Sequence, residues 1–392
     1  MTGRNDLARG AGTLELRALT KRYSSGGPPA VDELSLTVPA GKVCVLVGPS
    51  GCGKTTALRM VNRLIEPTSG DVLIDGVSVR TRPAAQLRRE IGYVIQQVGL
   101  LPHLTIAANV ATVPRLLGWD KARIRERVDE LLTLVGLPPD EFRRRYPAEL
   151  SGGQQQRVGL ARALAGDPPI MLMDEPFSAV DPITRERLQN DFLRLHAHEP
   201  KTVIFVSHDV DEAVKMADLV AVMRAGRLVQ CAPPAELLAE PADGFVADFV
   251  GADRALKALS LRRVEDLDLA AAPAVPRTEA PEATRGRIDA GELLPIAGYV
   301  VLVDEDMRPL AWVHVDRLGD PRAPHPPTPL IDRMSTVRDA LSALVGAGAA
   351  NGLVVNGRGH LVGMVDVDAI TGAPGAGHRR GCRWLRASAG TG

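Results

Sequence analysis

From Leu14 to about Val250 the chain alternates short apolar runs with longer stretches of mixed polarity. Val43–Val47, Ile170–Met173, Val203–Val206 and Leu219–Met223 are short and almost uninterrupted by polar residues. That pattern predicts strands buried on both faces, as in a parallel sheet. Lys121–Leu134 and Pro182–His196 predict helices between such strands. The second opens on Asp181-Pro182, an N-cap residue followed by proline at the first helical position. Alternating strands and helices over residues 13–250 predict an α/β domain.

The pattern changes beyond it. Residues 251–285 read as a junction and linker, with Ala/Pro-rich Ala270–Pro281 at their centre. Tyr299–Leu318 then lies over Asn351–Ile370 without a gap, at a spacing of 52. Val301 matches Leu353, Val303 matches Val355, Asp304 matches Asn356, Val313 matches Val365 and Asp316 matches Asp368. Each copy reads as strand, turn, strand and the start of a helix, which predicts an internal duplication in a smaller α+β domain over 286–371. Pro-rich Pro321–Pro329 separates the copies. The first copy is degenerate, and a start near residue 255 stays open. Residues 372–392 carry Arg379, Arg380, Arg383 and Arg386 with no acidic residue, and are expected to be a disordered, solvated tail.

Composition narrows the partners. Lys+Arg and Asp+Glu both number 47 in 392 residues, so nothing favours global attraction to nucleic acid or anionic lipid. Cys44, Cys52, Cys231 and Cys382 show neither pairing nor metal-ligand spacing, and Cys44 and Cys52 read as reduced thiols. The first residues lack the apolar core of a signal peptide, and no run of about 18 apolar residues predicts a membrane span. A membrane link is expected only through a partner.

Two elements carry chemistry. Gly48-Pro49-Ser50-Gly51-Cys52-Gly53-Lys54-Thr55 follows a predicted strand and fits GxxxxGK[ST], with Thr56 continuing as helix. Glycines let several backbone N–H groups converge on one anion, and the helix N-terminus adds its dipole. Lys54 is expected on the β- and γ-phosphates and the Thr55 hydroxyl on Mg²⁺. Alone, this says only that the chain binds a nucleoside triphosphate. In Ile170–Pro176, IMLMDEP, apolar residues end in two carboxylates at the carboxyl edge of a strand, where α/β sheets place ligands. Asp174 is the candidate for Mg²⁺ and Glu175 for orienting or deprotonating the attacking water.

Leu150–Arg157, LSGGQQQR, carries the LSGGQ signature, and here the chain resembles the ABC ATPase family. The resemblance spans about Leu14–Val250 and implies a P-loop NTPase fold with a helical subdomain near 97–160. It implies a head-to-tail dimer in which Ser151, Gly153 and Gln154 of one copy reach the ATP held by the other. Tyr23 resembles the residue that stacks on adenine. Gln96 resembles the glutamine that senses Mg²⁺ and couples to membrane subunits. Ser178–Asp181 resembles the loop joining the two sites, and His208 the histidine on the γ-phosphate. Val98–Ile106 is expected to face a permease.

IGYVIQQVGLLPHLTI and the run after Phe249 are similar to the importers for glycine betaine, proline betaine, carnitine or choline. The duplication resembles the tandem CBS modules of that group. Residues Asp366 and Ala369, and His314 and Arg317, depart from the usual adenine-nucleotide pattern of such modules. Ionic-strength sensing, another ligand or dimerisation alone all stay open. The expected function is ATP hydrolysis coupled to import, with permease subunits and, indirectly, a substrate-binding protein as partners. The expected location is the cytoplasmic face of a bacterial membrane. The alternatives are the ATPase of another importer class, or a non-transport ABC ATPase.

Overall fold

A computed structural model describes residues 10–24, 26–95, 99–320 and 325–372. The chain divides into two units at Arg254/Ala255.

The first unit is built on a six-stranded sheet. Its strand order is Arg227–Ala232, Leu219–Arg224, Val43–Val47, Thr202–Val206, Ile170–Asp174, Ile91–Val94. All neighbours are parallel except Arg227–Ala232, which pairs antiparallel with Leu219–Arg224. The three strands at the centre are buried along their whole length, which explains their uninterrupted apolar runs. A second, antiparallel sheet orders Val31–Val38, Leu14–Lys21, Ser69–Ile74 and Val77–Ser78. Here one face is covered, so Val31–Val38 keeps strict apolar positions at Leu34, Leu36 and Val38 between polar ones.

The short helix Lys54–Val61 shares one core with strands of both sheets. Leu58, Met60 and Val61 pack with Leu16, Leu36, Leu46, Leu172 and Ile204. Each such fully buried aliphatic side chain stabilises the unit by about 1.5–3 kcal/mol relative to exposure. The glycine loop before this helix is thereby fixed against a packed core. Between the strands Ile91–Val94 and Ile170–Asp174 the described chain is helical, including Lys121–Leu134 and Gly152–Leu164. Lys121–Leu134 starts on the Asp120 carboxylate, which accepts from Arg123 N. Helix Pro182–His198 starts on Asp181 in the same way, through Thr184 N at 3.0 Å.

The second unit contains two similar three-stranded sheets. One orders Ala274–Pro276, Tyr299–Val303, Pro309–His314; the other Leu330–Asp332, Asn351–Val355, Leu361–Asp366. In each, a short strand pairs parallel to a hairpin, and the register breaks at the same place, before Val303 and before Val355. The hairpin turns are built alike. Asp304 Oδ1 accepts from Asp306 N and Arg308 N, and Asn356 Oδ1 accepts from Arg358 N and His360 N. Val301 and Val303 of the first copy and Leu353 and Met364 of the second close on one core.

Here the linker expectation needs correction. Ala270–Pro281 is part of the fold: Val275 is buried, Ala274–Pro276 is a strand, and Pro281 opens helix Pro281–Asp289. A proline costs no hydrogen bond at a strand end or a first helical position, so the Pro-rich composition misled. Residues within 251–285 also form helix Arg254–Leu259 and the short turn of helix Val264–Asp266. Val264 and Leu267 pack with Ile331, Val337 and Leu344, in the core of the second copy. Ala270 bridges to Met364 of that copy. The fold of the second unit therefore draws on residues from Ala255 onward. The expected disordered tail lies, from residue 373, outside the described residues.

Candidate nucleotide-binding site

The loop between Val43–Val47 and Lys54–Val61 needs glycine at its hinge. Gly53 has φ +104, and a Cβ there would fall 2.3 Å from the Ala30 carbonyl oxygen. Lys54 is buried, and its Nζ donates to Gly48 O at 2.6 Å and Pro49 O at 3.1 Å, folding the ammonium back over the loop. Cys52 packs beneath, with Sγ 3.7 Å from the Lys54 Nζ.

Strand Ile170–Asp174 delivers the carboxylates to this loop. Asp174 is 3% exposed and accepts from the Thr55 hydroxyl at 3.0 Å. Burial pushes its carboxyl above the ordinary range; the Thr55 bond opposes that and the Glu175 charge adds to it. Glu175 follows with φ +48, a left-handed backbone that turns its side chain out of the sheet. Its N–H donates to Val206 O, and its Oε2 lies 3.4 Å from His208 Nδ1. His208 comes from the end of the neighbouring parallel strand Thr202–Val206. A cleft of about 500 Å³ results, lined by Ala30, Ser50, Gly51, Gly53, Lys54, Thr55, Thr56, Glu175 and His208.

The sequence expectations divide here. Lys54, Thr55, Glu175 and His208 meet at one cleft, with Asp174 bonded to Thr55 beneath it. Tyr23 lies just past strand Leu14–Lys21, is 65% exposed, and does not line that cleft; Lys21 Nζ sits 5.4 Å from its ring centre. Gln96 lies outside the described residues, as does Gln97. Ser151 caps helix Gly152–Leu164 in a reciprocal box: its Oγ accepts from Gln154 N, and Gln154 Oε1 accepts from Ser151 N. Ser151 is exposed, and Ser151, Gly153 and Gln154 do not line the cleft.

Residues 31–178 match the ABC transporter family. The osmoprotectant import ATP-binding protein OsmV of Salmonella typhimurium is 52% identical over 308 residues, covering 76% of this chain and 78% of that protein. The chain belongs to the ABC transporter family, as an ATP-binding protein. The glycine betaine/carnitine/choline transport ATP-binding protein OpuCA of Bacillus subtilis is 49% identical over 255 residues, 65% of this chain and 67% of that protein. A solved dimeric ATP-binding cassette, in a post-hydrolysis state with ADP and Pi, is 34% identical with a TM-score of 0.52, covering 56% of this chain and 98% of that one. This ABC protein binds ATP and hydrolyses it in the service of transport.

Sequence reading left two polar groups around the site without a role. Gln156 is 2% exposed and bonds across to the turn after Glu175. It is buried along with Val158, Gly159, Leu160 and Ala163 of the same helix, but it stands in the run Gln154-Gln155-Gln156-Arg157, so no local signal set it apart. Glu212, in helix Val210–Met216, accepts from the Ser207 hydroxyl and from Gln189 Nε2 at 2.9 Å, holding the residue before His208. Burial pushes the Glu212 carboxyl up, against the pull of both hydrogen bonds.

Proposed function

We propose that the chain is the energy-coupling subunit of an importer for glycine betaine or related quaternary amines, and that Glu175, His208 and Lys54 are its catalytic residues. The observation that carries the solute class is the extent of the likeness: 308 residues aligned with an osmoprotectant import protein exceed the whole first unit. The loop Gly48–Thr56 cradles the triphosphate, with Lys54 exchanging its bonds to Gly48 and Pro49 for phosphate oxygens. Mg²⁺ suits the site: a hydroxyl and a desolvated carboxylate, both hard oxygen donors, stand together at Thr55 and Asp174. Held by Thr55 and Asp174, Mg²⁺ would neutralise charge on the triphosphate. Gln96 is the third proposed contact. Glu175 orients water for in-line attack on the γ-phosphate, and His208 holds that phosphate beside it.

Exposed Ser151 and half-buried Gly153 and Gln154, at a helix N-terminus outside the chain's own cleft, suit contact with ATP held by a second copy. Tyr23 stacks on the adenine. Among the described residues no helix is long and apolar enough to cross a membrane. The proposed partners are therefore a second copy, permease subunits that hold the chain at the cytoplasmic face, and a substrate-binding protein beyond them. The paired sheets of the second unit, which resemble tandem CBS modules, serve regulation or dimerisation.

Two measurements test this. Glu175→Gln should keep ATP binding and lower turnover by about 10²–10⁴-fold; normal hydrolysis would remove Glu175 from its role. Vesicles holding the chain with its permease and binding protein should accumulate labelled glycine betaine on ATP addition. Uptake of methionine or an inorganic anion instead would refute the solute class.

A further inference from the structure

Gln156 joins two parts of the molecule that chemistry must keep in step. It sits in helix Gly152–Leu164, the helix that Ser151 caps, and its side chain is buried. Its Nε2 donates to the Glu175 carbonyl at 3.0 Å, and its Oε1 accepts from Ala179 N at 3.0 Å. One amide therefore spans the turn from Glu175 to Ala179 and satisfies main-chain groups at both ends. The same turn is tied from its other side, where Ser178 N and the Ser178 hydroxyl donate to the Glu175 carbonyl.

The turn needs this support. Glu175 is a non-glycine residue at φ +48, a conformation that persists only when its surroundings over-determine it. Its N–H is held by strand Thr202–Val206 and its carbonyl by Gln156 and Ser178. The helix presses close as well: a Cβ at Gly153 would lie 3.2 Å from the Ala179 carbonyl oxygen. Five residues before the clamp, exposed Ser151 caps the helix. One residue after it, Arg157 binds the carbonyls of Val135 and Gly136, where helix Lys121–Leu134 ends. This helix therefore meets the turn at two points, the Gln156 amide and Gly153.

We infer that Gln156 is a positioning residue: it holds Glu175 in its working backbone conformation and ties it to whatever engages Ser151–Gln154. This rests on the reading of Glu175 as the group that orients water. The link runs within one chain, from the surface offered to a second copy to the glutamate of the chain's own cleft.

Gln156→Met keeps volume and flexibility while deleting both hydrogen bonds. In the full chain, kcat should fall about 5- to 100-fold, the scale of a buried group left unpaired, while KM and the Kd for ATP stay within about twofold. Hydrogen exchange at the Ala179 amide should rise in the same variant. In a Glu175→Gln background, Gln156→Met should lower residual turnover no further, because the geometry it protects is already useless. Ser178→Ala removes a second bond to the same carbonyl from an exposed position, so folding is not at risk. It should lower kcat in the same direction with KM unchanged. Wild-type kcat in both Gln156→Met and Ser178→Ala overturns the inference, as does a Gln156→Met defect confined to KM. If Gln156→Met does not fold, Ser178→Ala alone decides. Normal turnover in Glu175→Gln, by contrast, overturns the assignment of Glu175 itself, and the two failures are thereby told apart.

Discussion

Replacing Gly53 with alanine tests how tightly the phosphate loop is built. A methyl group there would lie 2.3 Å from the Ala30 carbonyl oxygen and 3.1 Å from Val31 Cγ2. Non-bonded heavy atoms rest near 3.5–4.0 Å, so the oxygen contact is impossible without movement. Ala30 cannot retreat cheaply, because its N–H is bonded to Lys21 O and neighbouring Asp32 N to Gly226 O. Two costs add. The left-handed backbone at φ +104 costs a side-chain-bearing residue about 1–2 kcal/mol, and the forced overlap about 1–3 kcal/mol. Gly51 is the control: its φ is +79, but nothing lies within 4 Å of a Cβ there, so only the first cost applies. Thermal unfolding without nucleotide should show Gly51→Ala destabilised by about 1–2 kcal/mol and Gly53→Ala by about 2–5 kcal/mol. At this size each kcal/mol is roughly 2–4 °C in Tm. Ala30 also lines the cleft, so Gly53→Ala should weaken ATP binding more than Gly51→Ala does. Equal losses of Tm in the two variants would refute the argument, since the contact with Ala30 would then carry no weight.

Two further outcomes follow from the geometry. Glu212 has its carboxyl pushed up by burial and by Asp209, and pulled down by Ser207, Gln189 and Arg185. A raised native value means that its share of stability is complete below the ordinary carboxylate range and is lost as pH rises through the native value. Glu212→Gln does not titrate there. Its urea stability relative to the parent should climb with pH across that window, from about pH 4 upward, and then level off; a constant difference would show that Glu212 is not desolvated as described. Tyr23 is exposed, with Lys21 Nζ 5.4 Å from its ring centre, so Tyr23→Ala should raise the Kd for ATP about 5- to 100-fold in a fluorescent-nucleotide titration, with Tyr23→Phe near the parent. Equal affinity in all three would leave Tyr23 no part in binding.

What could be read in advance follows a physical line. Val43–Val47 and Lys121–Leu134 were legible to the residue, because a fully buried strand and a capped helix declare themselves in local pattern. The duplication was legible because a hairpin is a local structure, and copies 52 residues apart preserve the same turn at Asp304 and Asn356. Ala274–Pro276 was not. A three-residue strand has no period to detect, and its order comes from pairing with Val301–Val303, far along the chain. The segment around Val264 was opaque for the same reason, since its apolar residues belong to a core whose other members begin at Ile331.

The sequence by itself determined the chemistry of this protein. The loop Gly48–Thr56 draws its anion-binding character from its own glycines and from the helix it opens. The pair Asp174–Glu175 owes its place at the sheet's carboxyl edge to the apolar strand that ends on it. Those properties are short-range, so local order suffices to state them. Only the tertiary structure decided that they form one site. Strand Val43–Val47 pairs not with its sequence neighbours but with Thr202–Val206 and Leu219–Arg224, bringing Lys54, Glu175 and His208 to one edge of the sheet. The apolar runs that build those pairs are nearly interchangeable in composition, and nothing local ranks their order. Burial of Gln156 beneath Glu175 is likewise a choice of the packed core, since a glutamine in LSGGQQQR looks the same on paper whether it faces water or the catalytic turn.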